Sequence, residues 1–144
     1  MIAVDTNVLV YAHRADSPFF APARDALAAL AGGPGSWAIP WPCVHEFLAV
    51  VTHPRIFRTP TPVDRACDQV AAWLESPSLQ ILGEDRESYW PILRKAVEAG
   101  HVTGPRVHDA RIAALCLAHG VSELFTADRD FSRFPDLTTR NPIM

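Results

Sequence analysis

The chain has 144 residues, of which 49% are hydrophobic, and this is enough apolar sequence for one sizeable core. Its formal net charge is −3, which excludes the overall basic field that marks a general nucleic-acid-binding protein. A polyanion that binds this chain must therefore bind a local patch. We expect a single domain that spans residues 1–144.

The cysteines and the N-terminus indicate the cellular compartment. The three cysteines are far apart and have no neighbouring histidines at zinc spacing, which favours a reducing environment and no structural zinc. Asp5 and Asn7 fall where the hydrophobic region of a signal peptide would have to continue. No stretch approaches the roughly 20 apolar residues of a membrane span. We therefore expect a cytoplasmic protein that does not associate with membranes.

Short apolar runs alternate with helical patterns along the chain, which is typical of βαβ units around a mainly parallel sheet. The predicted strands are residues 2–5, 36–40, 79–83, 123–128 and 137–143. The predicted helices are residues 7–14, 17–33, 42–53, 63–76, 84–100 and 107–120. The segment "HPRIFRTPTP", residues 53–62, is predicted to be a loop because prolines bracket it.

Four carboxylates are predicted to meet at one edge of this sheet. Asp5 ends the first strand, Glu46 lies in the first turns of the helix after the second strand, and Asp109 lies in the first turn of the last helix. Asp128 lies at the end of the fourth strand. Helix N-termini and strand C-termini share an edge in a parallel α/β sheet. Four such acids would repel one another unless a cation neutralises them, and Mg²⁺ or Mn²⁺ prefers oxygen ligands.

Each acid also has a purely structural explanation. Asp5 could cap the next helix, and Asp109 could be a first-turn acid that the helix dipole favours. Asp128 and Asp130 could be turn residues. Glu46 is harder to explain in this way, because its side of the helix is partly apolar. The four acids together indicate a metal site more specifically than any one acid does.

Other polar residues near these acids are weaker candidates. Arginines close to the acidic segments could bind phosphate or serve as counter-ions. They are Arg14, Arg106, Arg111 and Arg129. Among the histidines, only His108 is of interest, because it precedes an acid of the predicted cluster.

Four segments together resemble the PIN-domain family, and within it the VapC-type ribonuclease toxins of bacterial toxin–antitoxin systems. They are "VDTNVLVYA", "HEFLAV", "VHDARIAALCLAHG" and "LFTADRDFSRFP", in the family's order and with family-like spacing. The resemblance implies a three-layer α/β/α sandwich with a five-stranded parallel sheet. It implies that the metal-binding acids are Asp5, Glu46, Asp109 and Asp128. It also implies that Asn7 and Thr126 support these acids by hydrogen bonds and that Asp130 is a further acid within reach of the second metal. Whether Asp128 or Asp130 lies closer to the metal stays open at this point.

The implied activity is that of an endoribonuclease that depends on Mg²⁺ or Mn²⁺. Two cations roughly 3.5 to 4 Å apart would activate a water and stabilise the leaving oxygen, which leaves 5′-phosphate and 3′-hydroxyl ends. Asp5 and Asp109 would hold the principal metal, and Asp128 would complete its ligand set directly or through water. Glu46 would bridge toward the second metal or orient the water. The implied partners are an RNA substrate, a small antitoxin and a second copy of the chain in a homodimer.

Two other functions remain open at the level of the sequence. A metal-dependent phosphatase that acts on small phosphoesters would also place a carboxylate at the end of the first strand, although "VDTN" lacks the second Asp of the usual nucleophile motif. A non-catalytic binding module could keep the same fold and pair with a protein, although it would have no reason to keep four mutually repelling acids. RNA cleavage assayed against turnover of a generic phosphatase substrate separates these functions.

Overall fold

The computed structural model describes residues 1–144 and contains one sheet of five parallel strands. The strands in chain order are β1 (Ile2–Val4), β2 (Trp37–Pro40), β3 (Leu79–Leu82), β4 (Glu123–Phe125) and β5 (Thr139–Arg140). Their order across the sheet is β3-β2-β1-β4-β5. All four neighbouring pairs are parallel, so every strand ends at the same edge.

Six α-helices connect the strands. They are α1 (Thr6–His13), α2 (Phe20–Gly32), α3 (Trp41–Val51), α4 (Val63–Leu74), α5 (Arg86–Ala99) and α6 (Val107–Ala118). Helix α1 packs on α2 and α3, α3 packs on α4, and α5 packs on α6. Helices α1 to α4 thus form one group, and α5 and α6 form a second. Because parallel crossovers are right-handed and the strand order reverses at β1, the two groups lie on opposite faces of the sheet. The predicted three-layer α/β/α sandwich is therefore confirmed. None of the helices combines the length and the apolar character that crossing a membrane requires.

Three predicted boundaries differ from the structure by three residues, and the other differences are of one or two residues. Strand β5 ends at Arg140 rather than at residue 143. Helix α2 begins at Phe20 rather than at Ser17, because Ser17 forms a turn in which its hydroxyl accepts from Phe19 N and its carbonyl from Phe20 N. Strand β4 ends at Phe125, three residues before the predicted end at Asp128. The residues after Phe125 therefore lie beyond the sheet edge, where their side chains can turn toward a ligand.

One hydrophobic cluster of 27 buried residues lies between the sheet and its helices. Trp37 and Phe47 are among the largest side chains in it that solvent does not reach. Helix α6 has six buried residues, five of which belong to this cluster, and this explains its almost wholly apolar sequence. Full burial of a large apolar side chain stabilises a fold by about 1.5 to 3 kcal/mol. This core fixes the ends of β1, β4 and α6 relative to one another.

Candidate active site

The candidate site lies where the strand order reverses between β1 and β4. Ligands of open α/β sheets bind in the crevice at such a switch point, beyond the carboxyl ends of the strands. Asp5 and Thr126 directly follow β1 and β4, and Asp5 N donates to the carbonyl of Phe125 over 2.9 Å. A cavity of about 360 Å³ opens here. Its polar wall contains Asp5, Asn7, Glu46, Asp109 and Asp128.

Asp5 is the most deeply placed of these acids, with only 5% of its surface exposed. It is the N-cap of α1, and its Oδ1 accepts from Thr6 N over 2.8 Å. Burial raises the pKa of Asp5 from 3.8 to about 6, and the charge of Glu46 acts in the same direction. The hydrogen bonds from Thr126 and Thr6 oppose that rise. Asp5 is thus both a helix cap and a member of the acidic cavity.

A small hydrogen-bond network holds Asp5 and the end of β4 in place. Thr126 Oγ1 donates to Asp5 Oδ2 over 2.7 Å and accepts from the backbone N–H of Asp128 over 3.0 Å. Asn7 Nδ2 lies 3.2 Å from both Asp5 Oδ2 and Thr126 Oγ1. Asn7 Oδ1 accepts from Ala127 N over 3.1 Å. The two polar residues that the resemblance assigned to the site therefore orient the acids beside them.

Two further contacts in the site were not predicted. Thr6 Oγ1 donates to Glu46 Oε2 over 2.9 Å and so orients the acid of α3. The thiol of Cys43 lies 3.7 Å from Asp5 Oδ1, and burial raises the pKa of this thiol, so it stays protonated and donates. The sequence could have placed Cys43 near the site, because Cys43 precedes Glu46 by three residues and so lies on the same face of the helix.

Three aspartates form the densest group of negative charge at this edge. Asp109, Asp128 and Asp130 each offer a carboxylate oxygen, and these oxygens all lie within 4.8 Å of one another. The pKa of Asp109 is raised, first by burial and then by the charges of Asp128, Asp130 and Glu46. Asp130 is half-exposed, does not line the cavity and forms an ion pair with Arg106 at 2.8 Å.

The donor set of the site fits a divalent cation that prefers oxygen ligands. The clustered acids supply only carboxylate oxygens, and they lie close enough to contact one ion. No histidine lines the cavity. The raised pKa values of Asp5 and Asp109 show that negative charge is costly here, which is the condition that a bound cation relieves.

The basic candidates near the acids are mostly counter-ions. Arg14 pairs with Asp16 at 2.6 Å, and Arg111 pairs with Glu84. Arg106 pairs with Asp130, as described above. Arg129 has no carboxylate within 4.0 Å, and His108 is exposed with no side-chain hydrogen bond, so neither is built into the cavity wall.

Comparison with known proteins agrees with this geometry. The model of the PIN domain family matches residues 2–137. Ribonuclease VapC43 of Mycobacterium tuberculosis is 36% identical over 143 residues, which cover 99% of this chain and 96% of that protein. Ribonuclease VapC48 of the same organism is 31% identical over 138 residues, which cover 96% and 94%.

Solved structures share the architecture at lower identity. VapBC2 from Rickettsia felis, bound to a DNA fragment from the promoter, gives a TM-score of 0.68 at 23% identity and covers 98% of both chains. A toxin–antitoxin complex from Klebsiella pneumoniae gives 0.63 at 18% identity and covers 99% of this chain and 98% of that one. The fold and its acidic switch point define a PIN-domain protein. The chain belongs to the PIN domain family, and its nearly full-length matches place it with the VapC ribonucleases of that family.

Proposed function

We propose that the chain is the endoribonuclease toxin of a VapBC-type toxin–antitoxin pair and hydrolyses RNA phosphodiester bonds with Mg²⁺ or Mn²⁺. The relatives that match nearly the whole chain are named VapC ribonucleases. The observation that carries the proposal is the meeting of four acids from β1, α3, α6 and the end of β4 in one cavity.

The acids have separate roles in holding the cation. Asp109 and Asp128 are the proposed direct ligands, because both line the cavity and their carboxylate oxygens lie within 4.8 Å of each other. Asp5 completes the ligand set from the end of β1. A bound divalent cation supplies positive charge for the phosphoryl oxygens and lowers the pKa of a nearby water. Mg²⁺ and Mn²⁺ suit an all-oxygen donor set.

The side chains around the acids keep them oriented for the reaction. Glu46 is fixed by Thr6 through Oε2, which leaves Oε1 to accept a hydrogen bond or a proton from the attacking water. Val10, Val50 and Ile112 form part of the apolar wall. Apolar surroundings lower the effective dielectric and so strengthen the electrostatic stabilisation of the transition state. No side chain has to act as a nucleophile in this mechanism.

The proposal includes two protein partners. We propose that a small antitoxin places its C-terminal segment over the acidic edge and offers an arginine to the carboxylates, since guanidinium and carboxylate groups pair in a bidentate manner. The Klebsiella pneumoniae structure, in which one chain shares this fold, is a toxin–antitoxin complex. The homodimer stays a prediction, and the mass of the purified complex in solution tests it. A monomer at all concentrations would contradict it.

The decisive assay compares RNA with a small phosphoester. We expect the purified chain to cleave RNA in Mg²⁺ or Mn²⁺, to leave 5′-phosphate ends, and to lose this activity in EDTA. Asp128→Asn should lower cleavage more than about 100-fold, because loss of a direct ligand should exceed the 10- to 100-fold cost of losing a residue that only supports the ligands. Asp136→Asn is the control, because Asp136 is exposed and pairs with Lys95 on α5.

Other outcomes of this assay would favour the other functions. Turnover of p-nitrophenyl phosphate without RNA cleavage would indicate a phosphatase. Absence of both activities in metal-loaded protein would indicate a binding module. Equal cleavage by wild type and Asp128→Asn would contradict the proposed site.

A further inference from the structure

The carboxylate of Asp5 accepts hydrogen bonds on both of its oxygens. Oδ1 accepts from the backbone N–H of Thr6 over 2.8 Å and from the thiol of Cys43, whose sulfur lies 3.7 Å away. Oδ2 accepts from Thr126 Oγ1 and from Asn7 Nδ2. Three of the four donors belong to α1 or directly follow β4, and only the thiol comes from α3. Cys43 is therefore the one hydrogen-bond donor that ties this carboxylate to α3.

The start of α3 brings this thiol to Asp5. Helix α3 begins at Trp41, directly after β2, and β2 pairs with β1, which Asp5 follows. Cys43 lies in the first turn of α3 and precedes Glu46 by three residues, so both side chains lie on one face of the helix. Glu46 in turn accepts from Thr6 Oγ1. The same face of α3 thus contacts the junction of β1 and α1 through both of its polar side chains.

The thiol of Cys43 is a donor that water cannot replace. Cys43 is completely buried, and Asp5 is only 5% exposed. Burial, and then the charge of Asp5, raise the pKa of the thiol, so that it keeps the proton that it donates. A hydrogen bond between buried groups is stronger than the same bond in water. Removal of the thiol would leave Oδ1 with one donor fewer and no water to take its place.

A thiol can restrain a metal ligand without weakening it. Sulfur is a weak donor, and the long contact of 3.7 Å agrees with this. The thiol therefore restrains the direction of Oδ1 while it withdraws little of the negative charge that attracts a cation. Groups that orient a metal ligand typically contribute roughly 10- to 100-fold to metal affinity or activity.

We propose that Cys43 is a positioning residue of the metal centre, whose thiol holds Asp5 in the orientation in which the carboxylate binds the cation. Cys43 does not line the cavity, so it acts through Asp5 and touches neither the cation nor the substrate. The inference rests on the proposed function, because it assigns a role toward the metal of that same site.

Cys116 on α6 provides a matched control. It is also a free and completely buried cysteine. The charge of Asp5 adds to burial in raising the pKa of Cys116 to about 12, so this thiol lies within the field of the same carboxylate. It donates no hydrogen bond to Asp5. Replacement of either cysteine by Ala removes one buried sulfur, but only the replacement of Cys43 removes a hydrogen bond to the acid.

The first measurement is the affinity for Mn²⁺, followed without RNA by electron paramagnetic resonance of the free ion. Cys43→Ala should weaken binding about tenfold, at the lower end of the range for orienting groups, because a thiol is a weak donor. Cys43→Ser keeps a donor and should bind Mn²⁺ more tightly than Cys43→Ala. Cys116→Ala and Cys116→Ser should both bind as wild type does. If Cys43→Ala fails to fold, Cys43→Val removes the donor and keeps an apolar side chain of similar size.

The second measurement detects the hydrogen bond itself in the metal-free protein. The infrared S–H stretching band of a thiol moves to lower frequency when the thiol donates a hydrogen bond. Subtraction of the Cys43→Ala spectrum from that of wild type isolates the band of Cys43, and Cys116→Ala isolates that of Cys116 in the same way. We expect the Cys43 band at the lower frequency of the two.

Wild-type affinity for Mn²⁺ in Cys43→Ala, equal weakening in Cys43→Ala and Cys43→Ser, or equal frequencies of the two thiol bands would each overturn the inference. These outcomes are distinguishable from a failure of the proposed function. In that case the wild-type chain would bind no Mn²⁺, and both proposals would be overturned. If the wild type binds Mn²⁺ and cleaves RNA while Cys43→Ala binds the ion as tightly, only the role of Cys43 is wrong.

Discussion

Thr126 Oγ1 donates a 2.7 Å hydrogen bond to Asp5 Oδ2 and joins the end of β4 to the residue that follows β1. The same hydroxyl accepts from the backbone N–H of Asp128. A single side chain thus orients two of the candidate metal ligands. Because Thr126 and Asp5 are both buried, no water can easily replace this bond.

Replacement of Thr126 by Val should destabilise the protein although it preserves the volume of the side chain. The substitution leaves the N–H of Asp128 without its partner and removes the shorter of the two hydrogen bonds that Asp5 Oδ2 accepts, the other coming from Asn7 Nδ2. Loss of a buried hydrogen-bond partner costs about 1 to 3 kcal/mol. Urea unfolding should show a loss of this size, and Thr126→Ser should restore most of it. Thr103→Val, at an exposed position, is the control. Equal stability of Thr126→Val and wild type would contradict the role of this hydroxyl.

The metal-free protein should become less stable as the pH rises from about 4 to about 6. The folded-state pKa of Asp5 is raised from 3.8 to about 6, so the native state binds more protons than the unfolded state in this interval. Two pKa units correspond to about 3 kcal/mol of unfolding free energy. Asp109, whose pKa is also raised, contributes in the same direction.

Urea titrations in EDTA across this interval measure the effect. Asp5→Asn should remove most of the decline, because asparagine does not titrate. A decline of the same size in both proteins would show that Asp5 does not titrate in this range.

Divalent metal should raise the melting temperature, and Asp109→Asn should reduce that rise. Metal at about 100 times its dissociation constant stabilises the native state by roughly 2.7 kcal/mol. In EDTA, Asp109→Asn should melt above wild type, because it removes one charge from a group of repelling acids. Asp5→Asn is a poorer variant for this purpose, since Asp5 accepts from Thr6 and Thr126 and an amide cannot replace both of its acceptor oxygens.

Thermal unfolding with and without Mg²⁺ or Mn²⁺ decides this point. Asp136→Asn, which lies outside the cavity, should respond to metal as wild type does. An undiminished metal response in Asp109→Asn would mean that the cation binds elsewhere.

Asp130 should matter less for cleavage than Asp128. Asp130 is half-exposed, is paired with Arg106 and lies outside the cavity, whereas Asp128 lines it. Loss of a residue that only supports the ligands typically costs 10- to 100-fold. We therefore expect Asp130→Asn to lower the initial rate of RNA cleavage by about tenfold, well short of the effect of Asp128→Asn. The reverse order of effects would make Asp130 the direct ligand.

The sequence predicted the order of elements and the edge at which the acids meet. Alternation of apolar runs with helical patterns locates the buried strands. The positions of Asp5 at the end of a strand and of Asp109 at the start of a helix can be inferred from their neighbours in sequence alone. The start of α2 was misplaced because Ser17 and Pro18 resemble a helix start, whereas Ser17 uses its hydrogen bonds in a turn. Boundaries of this kind depend on a competition between two local hydrogen-bond patterns.

Contacts between distant segments could not be predicted in the same way. Cys43 and Asp5 are 38 positions apart, and Thr6 meets Glu46 across 40 positions. These pairs form because β1 and β2 are neighbours in the sheet, and a residue pattern does not encode the distance between two side chains. The sequence likewise did not decide whether Arg14 and Arg111 bind phosphate or form ion pairs, since an arginine beside acids suits both roles. In the structure both form ion pairs.

Anomalous diffraction from crystals that contain Mn²⁺ tests the central claim most directly, because it locates the cation without reference to any substrate. We predict a manganese peak in the cavity at the switch point, at about 2.0–2.2 Å from carboxylate oxygens of Asp109 and Asp128, as expected for direct coordination by oxygen. The same peak should disappear in Asp109→Asn. Absence of a peak there at saturating Mn²⁺, or a peak bound by other residues, would contradict the assignment of this cavity as the metal centre of a ribonuclease.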